Sequence, residues 1–302
     1  MKVPAITCAY WHSNRRVASE RGCRLRSWLI TGCSRGLGRA LAETILAETA
    51  DRVAVTARDP EKVQDLVELY PERAFPFRLD VTEPEQVHAA VNAAIGSLGK
   101  LDIVVNNAGW AEISSFEETP QQSFRDQLEV NFFGAVEVCR AVVPHFRARR
   151  AGHIVQISAI SGRFGVAGLS ADTAAKFAIE GFSETLGLEL APLGIAVTLI
   201  EPGGIRTGWG GASMHIGPIG PDYDETVGRL ARLIQANLGQ EPSDPTLCAR
   251  AVITAVDAAE PPLRLVLGRD ALQAVTASDR TRAEADQQWR AVTVSVDNPG
   301  PA

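Results

Sequence analysis

Seven short runs rich in β-branched and aromatic residues, at 27–31, 52–56, 74–79, 103–106, 153–158, 196–200 and 264–267, are separated by longer stretches with helical apolar spacing. A strand cannot reach a parallel neighbour through a tight turn, so strands that alternate with helices pair in parallel through right-handed crossovers. The expected core is an α/β fold, a doubly wound parallel sheet with helices on both faces. One such unit accounts for the chain, because 302 residues with 45% apolar content can cover both faces of a sheet. It is expected over residues 26–270, between an N-terminal extension at 1–25 and a C-terminal tail at 271–302.

Residues 1–25 carry Lys2, Arg15, Arg16, Arg21 and Arg24 against the single acid Glu20, without sustained apolar periodicity, and read as a basic, disordered segment. They lack the apolar run of a secretory signal. Their Arg-rich, acid-poor composition has something of an organelle transit peptide, though a plain basic tail or an upstream start codon is the preferred explanation. Elsewhere no basic stripe appears, and a net charge of −6 argues against a nucleic-acid surface. No stretch approaches the ~20 apolar residues of a membrane-spanning helix. Five cysteines, Cys8, Cys23, Cys33, Cys139 and Cys248, show no metal-ligand spacing, and an odd count cannot form a complete disulfide framework. A soluble cytoplasmic protein with no metal, membrane or nucleic-acid partner is expected.

Chemistry is concentrated after the strands. The turn Thr31-Gly32-Cys33-Ser34-Arg35-Gly36-Leu37-Gly38 follows an apolar run and opens a helical stretch. In that context Gly32, Gly36 and Gly38 let backbone amides approach a pyrophosphate at a helix N-terminus, which makes the fold Rossmann-type. Asn106-Asn107-Ala108-Gly109 follows another strand. No acid closes the second strand to accept the ribose hydroxyls of NAD. Ala57 and Arg58 stand there instead, and Arg35 with Arg58 can clamp the 2′-phosphate of NADP(H).

The glycine turn, the Asn106–Gly109 segment and Lys176 closing Ser170-Ala171-Asp172-Thr173-Ala174-Ala175-Lys176 together resemble the short-chain dehydrogenase/reductase family, over about residues 26–268. The resemblance implies a cofactor site formed by Gly32, Ser34, Arg35, Gly36, Leu37, Gly38, Arg58, Asp80, Val81, Asn107, Ala108, Gly109, Lys176, Pro202, Gly203, Ile205 and Thr207. In it Asp80 and Val81 form the adenine pair, and 202–207 the nicotinamide-side loop. It also implies a homodimer or homotetramer built on the helical stretches at 121–147 and 171–191. Asn131 and Lys176 match the family's catalytic asparagine and lysine. By the family's spacing, however, Ala159 stands at the serine position and Asp172 at the tyrosine position.

Loss of one donor to a transition-state oxygen typically costs on the order of 10²–10³ in rate. Asp172 beside Lys176 on a helix is expected to be an ionised carboxylate, hence a poor proton donor. Ser161, just beyond the strand, can substitute for the missing hydroxyl if its loop turns inward, and His215 is a further acid or base. The segment 203–239 reads as a loose substrate lid rich in glycine, including Gly208, Gly210, Gly211, Gly217 and Gly220. Trp110, Phe164, Trp209, Met214 and Tyr223 are the candidates for contact with a large apolar or aromatic, natural-product-like small molecule. Three functions remain open. The first, favoured by the two missing donors, is a non-redox cyclisation, isomerisation or dehydration with Asp172 moving a proton. The second is an NADP-dependent ketoreductase or alcohol dehydrogenase with an unusual donor. The third is a non-catalytic nucleotide-binding partner.

Overall fold

The computed structural model describes residues 25–207 and 213–297. In chain order, the first half contains β1 (Ser27–Ile30), α1 (Gly36–Glu48), β2 (Arg52–Ala57), α2 (Gln64–Leu69), β3 (Ala74–Arg78), α3 (Pro84–Leu98), β4 (Ile103–Asn106), β5 (Ala111–Ile113), α4 (Gln121–Leu128) and α5 (Gly134–Arg149). The second half contains β6 (Gly152–Ile157), α6 (Ser170–Leu190), β7 (Ile195–Pro202), β8 (Met214–Ile216), α7 (Arg229–Ala236), α8 (Pro245–Asp257), β9 (Arg264–Leu267) and α9 (Arg269–Val294). The main sheet is parallel, in the order β3-β2-β1-β4-β6-β7-β9.

Successive strand residues feed opposite cores, as a two-residue side-chain period requires. Trp28, Ile30, Val53, Val55, Ile103 and Val105 join α1 and α8 on one face. Leu29, Ala54, Val104 and Ile154 join α3 and α5 on the other. Strand order reverses between β1 and β4, so the loops leaving their carboxyl ends diverge and open a crevice there. Both loops that the sequence marked for chemistry flank this crevice.

Helix ends separate structural from available amides. Asp244 caps α8 by accepting from Thr246 N at 2.9 Å and Leu247 N at 3.1 Å, with Pro245 in the first turn. By contrast α1 starts after an extended Arg35 with no side-chain cap, leaving its first amides facing the crevice.

Three features go beyond what the sequence pattern specifies. Residues 121–149 are interrupted by a π-turn at Glu129–Phe133, which carries Asn131. The described part of the lid contains β8, which pairs in parallel with β5, and α7. The segment expected as a C-terminal tail is helical through Val294. No helix among the described residues is long and apolar enough to cross a membrane. The described cysteines, Cys33, Cys139 and Cys248, are buried and free, and Cys8 and Cys23 lie outside the described residues, as does most of the basic extension.

Candidate active site

The glycine turn is built by packing. Gly32 and Gly36 have φ of +74° and +67°, a region that favours glycine. A Cβ on Gly38 would lie 2.3 Å from Asn107 Nδ2 and 2.6 Å from the Gly32 carbonyl oxygen, whereas one on Gly36 would meet nothing within 4 Å. The turn is thus closed on the Gly38 side and open on the Gly36 side. Asn107 spends its amide on the scaffold, donating to the carbonyls of Thr31 at 2.9 Å and Gly32 at 3.2 Å. The Thr31 hydroxyl accepts from the backbone of Asn107 at 2.8 Å and Ala108 at 3.0 Å. Leu37 is buried in the core beneath.

Arg35 and Arg58 are exposed, one in the turn and one after β2, and neither has an ion-pair partner among the described residues. Asp80 holds its own loop by accepting from Thr82 N and Oγ1. Val81 is buried against Gly134, where any Cβ would lie 2.6 Å from its methyl carbon. Pro202 ends β7. The loop after it is held by Asp270, which accepts from Gly204 N at 3.2 Å, and by a bridge between Ile205 and Ser243. Thr207 closes on the Ile205 carbonyl.

Across the crevice the fold brings together Asn131, Ser161, Asp172 and Lys176. Asn131 is fixed by donating to Trp110 O at 2.8 Å and accepting from Trp110 N at 3.0 Å, and its amide also donates to Asp172 Oδ1 at 3.3 Å. A tight turn at Ile160–Gly162 carries Ser161 inward, and its hydroxyl donates to Asp172 Oδ2 at 3.0 Å. Lys176 donates to the Ile157 carbonyl at 2.9 Å. Ala159 opens that turn in an extended conformation and offers no hydroxyl, while Ser158 Oγ faces Gly162.

This packing changes the expected state of Asp172. The residue is 4% exposed. Burial raises its pKa above the ordinary carboxylate range, against the opposing pull of the Lys176 charge and the Ser161 hydrogen bond. Burial likewise lowers Lys176, opposed by the charges of Asp172 and Glu180. The helical spacing of Asp172 and Lys176 led to an ionised carboxylate. Desolvation opposes that state and pushes the carboxyl's pKa up from its ordinary value.

His215 lies elsewhere. On β8, Met214 is buried and packs with Ala111, Ile113, Leu169 and Val227, and Ile216 and Tyr223 pack against the same cluster. Alternation turns His215 outward, where it is exposed and shares no hydrogen bond with the Asp172 cluster among the described residues. Trp110 and Phe164 are half-buried, and Trp209 with Gly208, Gly210 and Gly211 lies outside the described residues. Gly217 and Gly220 are held by close contacts rather than free. A Cβ on Gly217 would come 2.9 Å from Glu112 Oε1, and one on Gly220 would come 2.5 Å from Glu118 Oε1. Gly217 N donates to Ile113 O at 2.8 Å, and Ser114 Oγ to Pro218 O at 2.7 Å. This part of the lid is pinned rather than loose.

Behind the turn lies a charge network that the sequence reading did not identify. Glu201, fully buried at the end of β7, pairs with Arg163 at 3.0 Å and Arg264 at 3.4 Å. Arg264 also holds Glu180 and Glu184, and Arg163 reaches Asp279 on α9 at 2.9 Å. A charged residue inside an apolar strand run, as Glu201 is, was the available signal.

A family model for short chain dehydrogenases matches residues 26–214. The oxidoreductase BOA17 of Botryotinia fuckeliana is 42% identical over 269 residues, covering 89% of this chain and 98% of the relative. Retinol dehydrogenase 8 of Bos taurus is 32% identical over 255 residues, covering 79% of this chain and 80% of that protein. A crystal structure of a short-chain dehydrogenase from Streptomyces avermitilis superposes with a TM-score of 0.86 at 38% identity, covering 90% of this chain and 98% of that one. Match length, identity and superposition agree with the glycine turn and the lysine of α6: the chain belongs to the short-chain dehydrogenase family.

Proposed function

We propose that the protein is an NADP(H)-dependent oxidoreductase that interconverts a carbonyl and a hydroxyl on a large apolar substrate, with Asp172 as the proton-transfer group. The observation that carries this reading is the burial of Asp172 between Ser161 and Asn131, beside Lys176. A carboxyl whose pKa is raised by burial is better placed than an ordinary one to give a proton in one direction and take it in the other. The non-redox reading rests on the absence of a proton donor, and a buried carboxyl with a raised pKa is a candidate for that role. The relatives' names, oxidoreductase and retinol dehydrogenase, also weigh against the non-redox reading.

The residues present fit the nucleotide. The open side of the turn at Gly36, the uncapped start of α1 and Arg35 and Arg58, which have no ion pair among the described residues, suit a pyrophosphate and a 2′-phosphate. When bound, NADP(H) supplies or accepts the hydride. In the mechanism, Lys176 anchors to the strand carbonyl and sets the electrostatics beside Asp172. Asn131 fixes one carboxyl oxygen and Ser161 the other. Tyr223, Trp110 and Phe164, all half-buried, provide apolar surface to hold the substrate and exclude water, while Met214, a substrate candidate on sequence grounds, is buried in the lid cluster and supports them from behind. The name retinol dehydrogenase favours an elongated apolar carbonyl compound. We also assign a homodimer to the face where Phe116 and Phe133 line one exposed apolar hollow.

The test is NADPH oxidation with a panel of apolar aldehydes and ketones, retinaldehyde among them, and NADP⁺ reduction with the matching alcohols. Turnover with an apolar member supports the reading. Conversion of a substrate with no net change in nicotinamide absorbance overturns it in favour of non-redox chemistry.

A further inference from the structure

Ser161 reaches Asp172 only because the turn Ile160–Gly162 is held inward. On its inner side the turn packs tightly on α6: a Cβ at Gly162 would lie 2.9 Å from Glu180 Cγ and 3.1 Å from the Lys176 carbonyl oxygen. On its outer side stands Arg163, the next residue. Its guanidinium bonds the fully buried Glu201 at 3.0 Å through one nitrogen and Asp279 of α9 at 2.9 Å through the other. Its carbonyl accepts from Arg282, also on α9. Arg163 therefore clamps the turn between the end of β7 and the C-terminal helix. That helix lies beyond residues 26–214, which the family model matches.

We propose that Arg163 is a positioning residue of the active site and that α9 is part of the same device, the two together fixing the turn that aims Ser161 at Asp172. Three groups face Asp172: Ser161 from the turn, Asn131 from the π-turn and Lys176 from its own helix. Arg163 is not among them, and its charge is spent on Glu201 and Asp279. The shortest route for its influence on Asp172 runs through Ser161, and the double variant separates it from one through Glu201, Glu180 and Lys176. The catalytic meaning of this tether rests on Asp172 being the proton-transfer group.

The experiment is a carboxyl ¹³C titration of Asp172 in the full chain, the signal being assigned by its loss in Asp172→Asn. Ser161→Ala removes a hydrogen bond to the ionised form, so the midpoint rises. Arg163→Met is expected to move it in the same direction, and the double variant no further than Ser161→Ala alone, because effects that share one route are not additive. Arg163→Lys, which can still reach Glu201, moves it back toward the wild type. With NADPH and the best carbonyl probe, Arg163→Met lowers kcat on the order of 10²-fold, the usual consequence of a misplaced group, while KM for NADPH stays unchanged. An unmoved midpoint in Arg163→Met, or fully additive shifts, overturns the proposal. Where Arg163→Met fails to fold, Asp279→Asn replaces it, since that partner is on the surface. A smaller rise supports the tether, and none overturns it. The titration needs no turnover, so full activity in Asp172→Asn would refute the proton-transfer role separately from the link between Arg163 and Asp172.

Discussion

Replacing Asp172 by Asn removes the proton but keeps the shape, and the surroundings define what else changes. Oδ1 accepts from Asn131 and Oδ2 from Ser161. In the variant the carboxamide oxygen can stay on Asn131, and its nitrogen can donate to the Ser161 hydroxyl, which is able to accept as well as donate. Lys176 keeps its bond to Ile157 O and the Glu180 charge on its other side. The expected stability change is therefore within about 1 kcal/mol, one hydrogen bond's worth. Loss of the proton-transfer group lowers kcat by roughly 10²–10⁴-fold, or about 2.7–5.5 kcal/mol of barrier, with NADPH affinity unchanged. Stopped-flow nicotinamide absorbance, urea unfolding and calorimetric nucleotide titration separate the three quantities. The pH profile has a defined sign. Carbonyl reduction needs the protonated acid and falls as pH rises through the Asp172 value, which burial places above the ordinary carboxylate range. Alcohol oxidation needs the ionised form and rises through the same window. Both limbs should vanish in the variant. Undiminished turnover in a folded Asp172→Asn protein, or a profile that keeps its limbs, refutes the reasoning.

Calorimetry should show NADPH bound more tightly than NADH, with Arg58→Ala weakening NADPH roughly ten- to hundredfold and leaving NADH unchanged. Equal affinities in the native protein would remove the phosphate clamp. Gly38→Ala places a Cβ against the Gly32 carbonyl, a backbone atom, and is expected to cost about 1–3 kcal/mol in urea unfolding and to impair nucleotide binding, while native-like stability would contradict the close packing. Glu201→Ala strips the buried partner from Arg163 and Arg264, and because both arginines are partly reachable by water the cost should sit near the lower end of the ~3–5 kcal/mol for a broken buried pair. A loss below ~1 kcal/mol would show that the network is redundant. Phe133→Glu, on the exposed aromatic face, should convert a dimer to monomers in sedimentation velocity, and a native protein that is already monomeric would refute the assignment of that face.

The sheet and the glycine turn were legible in the sequence because both are local. A central strand buried on two faces is largely apolar along its length, and the expected run at 103–106 coincides with β4. The glycine turn is likewise local, since positive φ at Gly32 and Gly36 is a property of single residues. Other features depend on partners far away in the chain. β5 and β8 are three residues each, too short to carry a period, and exist because they pair across a hundred residues. Gly217 and Gly220 read as sources of freedom, yet Glu112 and Glu118 press against them. The decisive case is Asp172. Its neighbours along the helix include Lys176, which predicts an ordinary ionised pair, whereas Asn131, 41 positions earlier, and Ser161, 11 positions earlier, close over it. The spacing of charges is written in the sequence. The removal of water from around them is a property of packing, and it is what moves the carboxyl's pKa upward.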